Sequence, residues 1–423
     1  MSPSARISRH DRDVLRRLAA EQAEIAALSV QPRTIAGWQR VNDLQPGRAM
    51  VWINEIPWHE MDVHGELALA CEDPFLRTQE ETLRQTLYQW RHMPADMVVE
   101  PVFYSPLAVS DTGYGIDEDV DIVRTDARNT VVSRRFHRQI REPRDVDRIR
   151  TPIVRHDAAA SEAYRARLEA AFGDLLPVVP RGAPGFWFSP WDLLIRLWGV
   201  EDAMLDLALR PELVHLAMER LVTAMLARLD QYEDQGLLSS NNGNVRVGSG
   251  GLGYTSDLPP AEAPGPVGTG SLWGCATAQI FSAVSPAMHE EFALQYERRW
   301  LERFGLNYYG CCEPLHLKLG LLRSVPRLRK VSMSPLADLA SAAAQTGRDL
   351  VLSIKPNPAI LAGDVWRPEV ARQELRDLLR QASGCVTEVI MKDVSTVRYA
   401  PQRLWEWARI ASEVADEAAR EAA

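Results

Sequence analysis

The sequence predicts a (β/α)8 TIM barrel carrying an N-terminal helical extension. Short apolar segments near Leu272, Leu306, Val331, Leu350 and Val386 each lead into a stretch with helical spacing, and seven or eight such units can be counted along the chain. A strand followed by a helix, repeated, builds parallel sheet with helices outside, and that number of units favours closure over an open sheet. The chain has 423 residues, long for one ordinary domain and usual for an elaborated barrel. No internal repeat and no independent second domain is visible.

The elements follow in order. Residues 12–28 carry Val14, Leu15, Leu18, Ile25 and Leu28 at helical spacing, which places a helix in an extension over 1–47. The barrel then occupies 48–423. Residues 49–53 read as its first strand, 78–91 as a helix with Leu83, Leu87 and Trp90 on one side, and 97–104 as a strand. An insertion near 113–138 alternates with period two (Asp121-Ile122-Val123, Thr130-Val131-Val132) and reads as a hairpin. A helix over 162–172, a strand over 175–179 and helices over 191–198 and 201–209 follow, and Pro211 opens a longer helix. Residues 236–270 are rich in Gly, Pro, Ser and Asn and too long for a plain connection, which suggests a mobile loop covering a substrate. The last helices are expected over 286–302, 315–323, 339–345, 369–381 and 402–419.

Composition excludes several classes. Hydrophobic residues make up 46% of the chain, so a large core is available. The net charge is −9 and the isoelectric point about 5.6, which gives no basic face for nucleic acid. No apolar run is long enough to span a membrane, and the charged N-terminus lacks the apolar core of a signal peptide. The five cysteines are an odd number and suit reduced thiols in a cytoplasm better than a disulfide framework. An oligomer is compatible with all of this.

The strongest chemical signal is Asn307-Tyr308-Tyr309-Gly310-Cys311-Cys312-Glu313-Pro314-Leu315-His316. Two adjacent thiols, a carboxylate and an imidazole follow one apolar strand, and Cys385 precedes another. Thiolates with imidazole suit zinc; alternatively the cysteines pack as small hydrophobes. Asn54, Glu55, Trp58 and His59 lie just past the first strand, where barrels place catalysis. There Glu55 is a candidate base and His59 a proton carrier, against the alternative of a solvated loop. Lys355 follows a strand and could bind a carboxylate or phosphate, or sit on the surface. Lys392 and Asp393 end the Cys385 strand, as ligand-orienting groups or as a plain ion pair. Trp273 and Gln279 flank the strand after the long loop and would suit a small polar-aromatic ligand, or the core. The glycines 248, 250, 251 and 253 lack a following Lys-Ser or Lys-Thr and speak for a mobile loop more than for phosphate binding.

From about Leu272 to Val414 the chain resembles the uroporphyrinogen decarboxylase superfamily, which includes zinc-dependent, corrinoid-linked methyltransferases. The resemblance rests on Tyr309-Gly310-Cys311-Cys312-Glu313, where methyltransferase members carry a His-x-Cys zinc motif. It rests also on Lys355-Pro356-Asn357-Pro358-Ala359-Ile360-Leu361-Ala362-Gly363, similar to the family's Gly-Asn-x-x-Pro-x-x-Leu-x-Gly run. Cys385 falls where those enzymes place their last thiolate. The run from Gly310 to His316 also resembles an uncharacterised subgroup of the same family. Tyr309 replaces the motif histidine, so Cys312, Glu313 or His316 would have to complete the metal site. The arginine-rich signature for porphyrinogen carboxylates is absent, so porphyrinogen decarboxylation is not expected.

The resemblance implies a methyltransferase moving a methyl group from a small methylated donor to a thiol or to the cobalt of a corrinoid protein. Zinc would be held by Cys311, Cys312 and Cys385, with Glu313 and His316 in reserve. Two alternatives remain: a carboxy-lyase binding its substrate through Lys355 and Lys392, and a non-catalytic barrel that binds a small molecule or corrinoid.

Overall fold

The computed structural model describes residues 7–124 and 132–422. Its centre is a six-stranded parallel sheet. The strands in chain order are β1 (Met50–Ile53), β2 (Phe103–Pro106), β3 (Val109–Asp111), β4 (Val120–Val123), β5 (Ser133–Phe136), β6 (Val154–His156), β7 (Val178–Arg181), β8 (Trp273–Ala276), β9 (Leu306–Tyr309), β10 (Leu328–Met333), β11 (Val351–Ile354) and β12 (Val386–Met391). The sheet runs β1-β12-β11-β10-β9-β8, every neighbour parallel, while β2 and β7 form a separate parallel pair.

This is the TIM-barrel-like arrangement expected, but among the described residues the backbone ladder does not close. Side chains and irregular backbone take the place of ladder bonds beside β1 and bridge the gap between β7 and β8. Between β1 and β2, Asp96 accepts from Val51 N through its carboxylate (2.6 Å) and donates its own N–H to Val51 O (3.0 Å). Between β7 and β8, the segment 237–239 bonds to Ala183. The Asn241 amide then bonds both N and O of Trp273 at 2.9 Å, as a neighbouring strand would.

β8, β9, β11 and β12 are buried along their whole length, as parallel strands covered on both faces must be. Period two sorts their side chains. Val389 and Met391 face outward onto the last helix (Gln402–Glu421), with Trp407 and Val414. Val386 and Ile390 face inward with Val351, Trp38 and Leu252. The inward row of β12 therefore continues to Glu388 and Lys392, and that of β11 to Ser353 and Lys355.

The extension is helical as expected, over Arg9–Ala26 and Val30–Asn42. Ser8 caps the first helix by accepting from Asp11 N, and Val14, Leu15 and Leu18 pack with Leu83 of the helix Pro74–His92. The second helix inserts Trp38 into the barrel interior, where its indole N–H donates to Asp96 O. The insertion forms an antiparallel pair, β4 with β5; Thr130 and Val131 lie outside the described residues.

The long loop, whose composition suggested a mobile cover, packs into the interior over much of its length. Asn241, Asn242, Ser249, Gly250 and Gly251 are buried, and the glycines are there for close approach. A Cβ on Gly248 would stand 2.4 Å from the Tyr308 ring, and one on Gly251 would stand 2.2 Å from Trp38. Only 259–266 are exposed throughout. Among the described residues no helix is long and apolar enough to cross a membrane.

Candidate functional site at the C-terminal ends of the strands

A polar layer lies inside the sheet beneath the site. Lys330 Nζ and Glu388 Oε2 meet at 2.8 Å, both side chains fully buried. Glu388 also accepts from Ser353 Oγ (2.6 Å) and Gly251 N (3.1 Å). Burial alone would raise the Glu388 carboxyl, but Lys330 and Lys355 outweigh it and hold it below its ordinary value. Lys355 Nζ donates to Ser353 Oγ (2.6 Å), Ser353 O (3.1 Å) and Tyr308 OH (3.0 Å), and Ser249 Oγ lies 2.9 Å from the same phenol. Burial pushes Lys355 down to about 7, with Glu388 opposing. This lysine is 2% exposed, so it is neither the surface lysine nor the substrate-binding lysine that the sequence offered. It belongs to the interior network, which leaves Lys392 as the one of the two candidate carboxylate-binding lysines that stands at the mouth.

Above this layer, β9 ends in Gly310 at φ 98°. A Cβ there would stand 2.4 Å from Leu315 Cδ1, so glycine is required for the turn that presents the cysteines. Two hydrogen bonds fix Cys311: its N–H donates to Glu313 Oε2 (2.9 Å), and its carbonyl accepts from Ser332 Oγ (2.7 Å). The other Glu313 oxygen accepts from Thr277 Oγ1 at 2.8 Å. Glu313 is therefore a buried buttress of the turn.

The two sulfurs lie 3.4 Å apart. Lys392, the last inward residue of the β12 row, brings Nζ to 3.4 Å from Cys311 Sγ, 3.5 Å from Cys312 Sγ and 2.5 Å from Asp393 Oδ2. Cys312 Sγ also lies 3.5 Å from Asp393 Oδ2. The hydrogen bond between the thiols, then Lys392, holds Cys311 below its ordinary value against burial, and the same bond raises Cys312. Of the two thiols Cys311 is therefore the one that gives up its proton more readily, and an ammonium faces its sulfur. Lys392 stays protonated because both sulfurs and Asp393 outweigh its burial. Glu55 Oε2 accepts from Asp393 N (3.0 Å), and Arg246 Nη1 lies 3.4 Å from Glu55 Oε1. Glu55 and Asp393 both adopt φ 56°, a strained conformation for such residues and one that clusters at functional sites.

Of the residues singled out in the sequence, Glu55, Cys311, Cys312, Lys392 and Asp393 thus come together. The others do not join them. Cys385 precedes β12, with its thiol directed at Ala343 O (3.7 Å); six strand residues at about 3.3 Å each separate it from the mouth. His316 keeps a buried Nδ1 without a hydrogen-bond partner, on the helical turn after Pro314. His59 sits beside Glu60 (3.6 Å) and Tyr399, and Trp58 packs edge-on against Tyr88. Asn54 holds the glycine loop through Gly250 O (3.1 Å). Gln279 donates to Asp192 at 2.8 Å, and Trp273 donates to Gly253 O at 2.8 Å.

The expected zinc site therefore does not fit this donor set. Zinc takes four donors at about 2.0–2.3 Å. Cys385 is at the wrong end of its strand, Glu313 is turned to Cys311 N and Thr277 Oγ1, and a lysine ammonium stands within 3.5 Å of both remaining sulfurs. Among the described residues no group of three His, Cys, Asp or Glu side chains is placed to hold a metal ion.

Sequence reasoning missed a second buried cluster on the outer side of β9. Tyr309 donates to Glu297 Oε2 (2.6 Å) and meets His289 Nε2 (2.6 Å), whose Nδ1 meets Lys318 Nζ (3.0 Å). Burial pushes Glu297 up to about 8 and His289 down to about 3. The signal was available: Tyr308 and Tyr309 are adjacent on a strand, so one must face outward and find a partner for its hydroxyl.

No protein-family model matches the sequence, and no curated protein matches it. Among solved structures, a methyltransferase from Methanosarcina mazei superposes with a TM-score of 0.51 at 11% sequence identity, over 91% of this chain and 98% of that one. The likeness spans nearly the whole of both chains and shows a shared fold, without singling out the uroporphyrinogen decarboxylase family.

Proposed function

We propose that this protein is a methyltransferase acting at the mouth of its barrel, with Cys311 as the nucleophile. The observation that carries the reading is the Cys311 sulfur held between the Cys312 thiol (3.4 Å) and Lys392 (3.4 Å) at the C-terminal ends of β9 and β12. A thiolate is a strong nucleophile for a methyl group, and the mouth of strand ends is where such folds place chemistry. The fold shared with a methyltransferase supports the same reading.

In the proposed step the Cys311 sulfur forms a bond to the methyl carbon of a small methylated donor while the bond from that carbon to the donor heteroatom breaks. Lys392 supplies a proton to the departing heteroatom. Cys312 and Asp393 set the charge at the site, and Glu55 holds the turn that carries Asp393. The bond from the methyl carbon to Cys311 sulfur then breaks as that carbon forms a bond to a second acceptor arriving at the same mouth. Cys311 leaves as thiolate beside Lys392, and a thiol acceptor's proton returns to Lys392, whereas with a corrinoid carried by a partner protein its cobalt would be the acceptor and water would restore that proton.

The test uses isotope-labelled methyl donors of the O-methyl, N-methyl and S-methyl classes, each with the purified protein. Mass spectrometry of the peptide spanning Gly310 to Leu317 should show one methyl group on Cys311 with the correct donor, and none in Cys311→Ser. Turnover of a donor that survives intact in Cys311→Ser would overturn the reading.

A further inference from the structure

A small cavity of about 160 Å³ opens beside this site. Its walls come from the turn after β7 (Phe186, Trp187), the glycine loop (Arg246, Gly248) and β8 (Trp273, Cys275). Three features define what it can hold. Its volume is that of a single aromatic ring, and it is partly open to solvent. Two walls are indoles: Trp273, pinned by its bond to Gly253 O, and Trp187, 41% exposed at the opening. The floor is neutral, because the buried Cys275 thiol donates to Phe186 O (3.3 Å) and burial pushes its pKa up to about 11.

In this lining of mixed polar and apolar surface the single charged residue is Arg246. It spends one nitrogen on Glu55, at 3.4 Å and half-exposed on both sides. A pair of that kind is weak, and the guanidinium keeps further donors in a planar fork suited to a carboxylate. The cavity is coupled to the cysteines by two routes. One runs Arg246 to Glu55 to Asp393 to Cys312. The other runs from Gly248 to its neighbour Ser249, whose Oγ donates to the carbonyl of Gly310 (3.3 Å), next to Cys311.

We propose that this cavity is the binding subsite for a planar monoanion, a single aromatic ring bearing a carboxylate, with the ring against Trp187 and Trp273 and the carboxylate on Arg246. As the recognition element of the methyl donor, the subsite rests on the methyl-transfer reading. As a binding site it stands alone, and it is tested without turnover.

The probe is benzoate, with benzamide and acetate as comparisons, titrated into the full-length protein by calorimetry and by fluorescence of the lining tryptophans. Benzoate should bind saturably at one site per chain. Benzamide, isosteric and uncharged, should bind roughly tenfold more weakly or worse, the loss expected for a charge-assisted pair. Acetate should bind more weakly than either. Arg246→Met should weaken benzoate by about the same factor and leave benzamide unchanged, and Trp187→Leu should weaken both. Added salt should weaken benzoate alone. No saturable benzoate binding, equal binding of benzamide, or salt-independent benzoate binding would each overturn the proposal. All three are read on the wild-type chain, so a variant that misfolds does not protect it. If benzoate binds as described while no donor methylates Cys311, the subsite stands and the methyl-transfer reading falls.

Discussion

Lys392→Met removes the ammonium from the cysteine pair and keeps a side chain of similar length. Its effect follows from Coulomb's law. Nζ stands 3.4 Å from Cys311 Sγ; two unit charges at that separation interact by about 5 kcal/mol at an effective dielectric constant near 20. Asp393, 2.5 Å from the same nitrogen and half-exposed, cancels part of this field, and water at the mouth screens more. A net of roughly 1.5–3 kcal/mol survives, equivalent to about one to two pKa units. The Cys311 thiol should therefore titrate that much higher in the variant, and its alkylation rate near neutral pH should fall by about 10- to 100-fold. The assay is the pH dependence of iodoacetamide modification, followed peptide by peptide so that Cys311 is read separately from Cys312. In the wild type the rate should climb through a midpoint below the ordinary thiol value; in Lys392→Met the whole curve should move to higher pH; Lys392→Arg should keep most of the wild-type curve. An unchanged midpoint for Cys311 in Lys392→Met would show that the thiol is not governed by this lysine, and the proposed nucleophile would lose its physical basis.

Three further outcomes are expected. Glu388→Leu strands the fully buried Lys330 and should cost about 3–5 kcal/mol in urea unfolding, most of it recovered by adding Lys330→Met; a loss below about 1 kcal/mol would mean that water reaches the pair. Lys355 is depressed to about 7 in the folded chain, so between about 7 and its unfolded value near 10.4 the unfolded state binds the extra proton. Wild-type stability should rise with pH across that window relative to Lys355→Met, and a pH-independent difference between the two proteins would count against the depressed value. Limited proteolysis should cut the exposed stretch 259–266 well before the mostly buried 241–255, whether or not a ligand is present; protection of 259–266 by a ligand would support the mobile cover that the sequence suggested.

Strand and helix order, the N-terminal extension and the inserted hairpin were legible in the sequence because hydrophobic periodicity reports burial directly. The site was legible in part. Gly310-Cys311-Cys312 and Lys392-Asp393 stand at the ends of apolar strands, and parallel strands deliver their C-terminal ends to one face. Three matters needed the tertiary structure. Cys385 belongs to the β12 strand as surely as Lys392 does, yet it sits at the start and not the end, so strand direction removes it from the cysteine pair. Lys355 reads as a surface or substrate-facing lysine until period two and the packing of Trp38 and Gly251 place it inside, where its partners are Tyr308 and Ser353. The glycines of 248–251 carry the composition of a flexible loop; only the positions of the Tyr308 and Trp38 rings show that their missing side chains make room for dense packing. The sequence by itself determined which groups each element carries and at what spacing, because periodicity and turn chemistry are local. Which of those groups meet, and whether a charge between two thiols is a metal ion or a lysine, depends on distances of a few ångströms between residues some eighty positions apart in the chain. Only the packing of β9 against the rest of the sheet decides them.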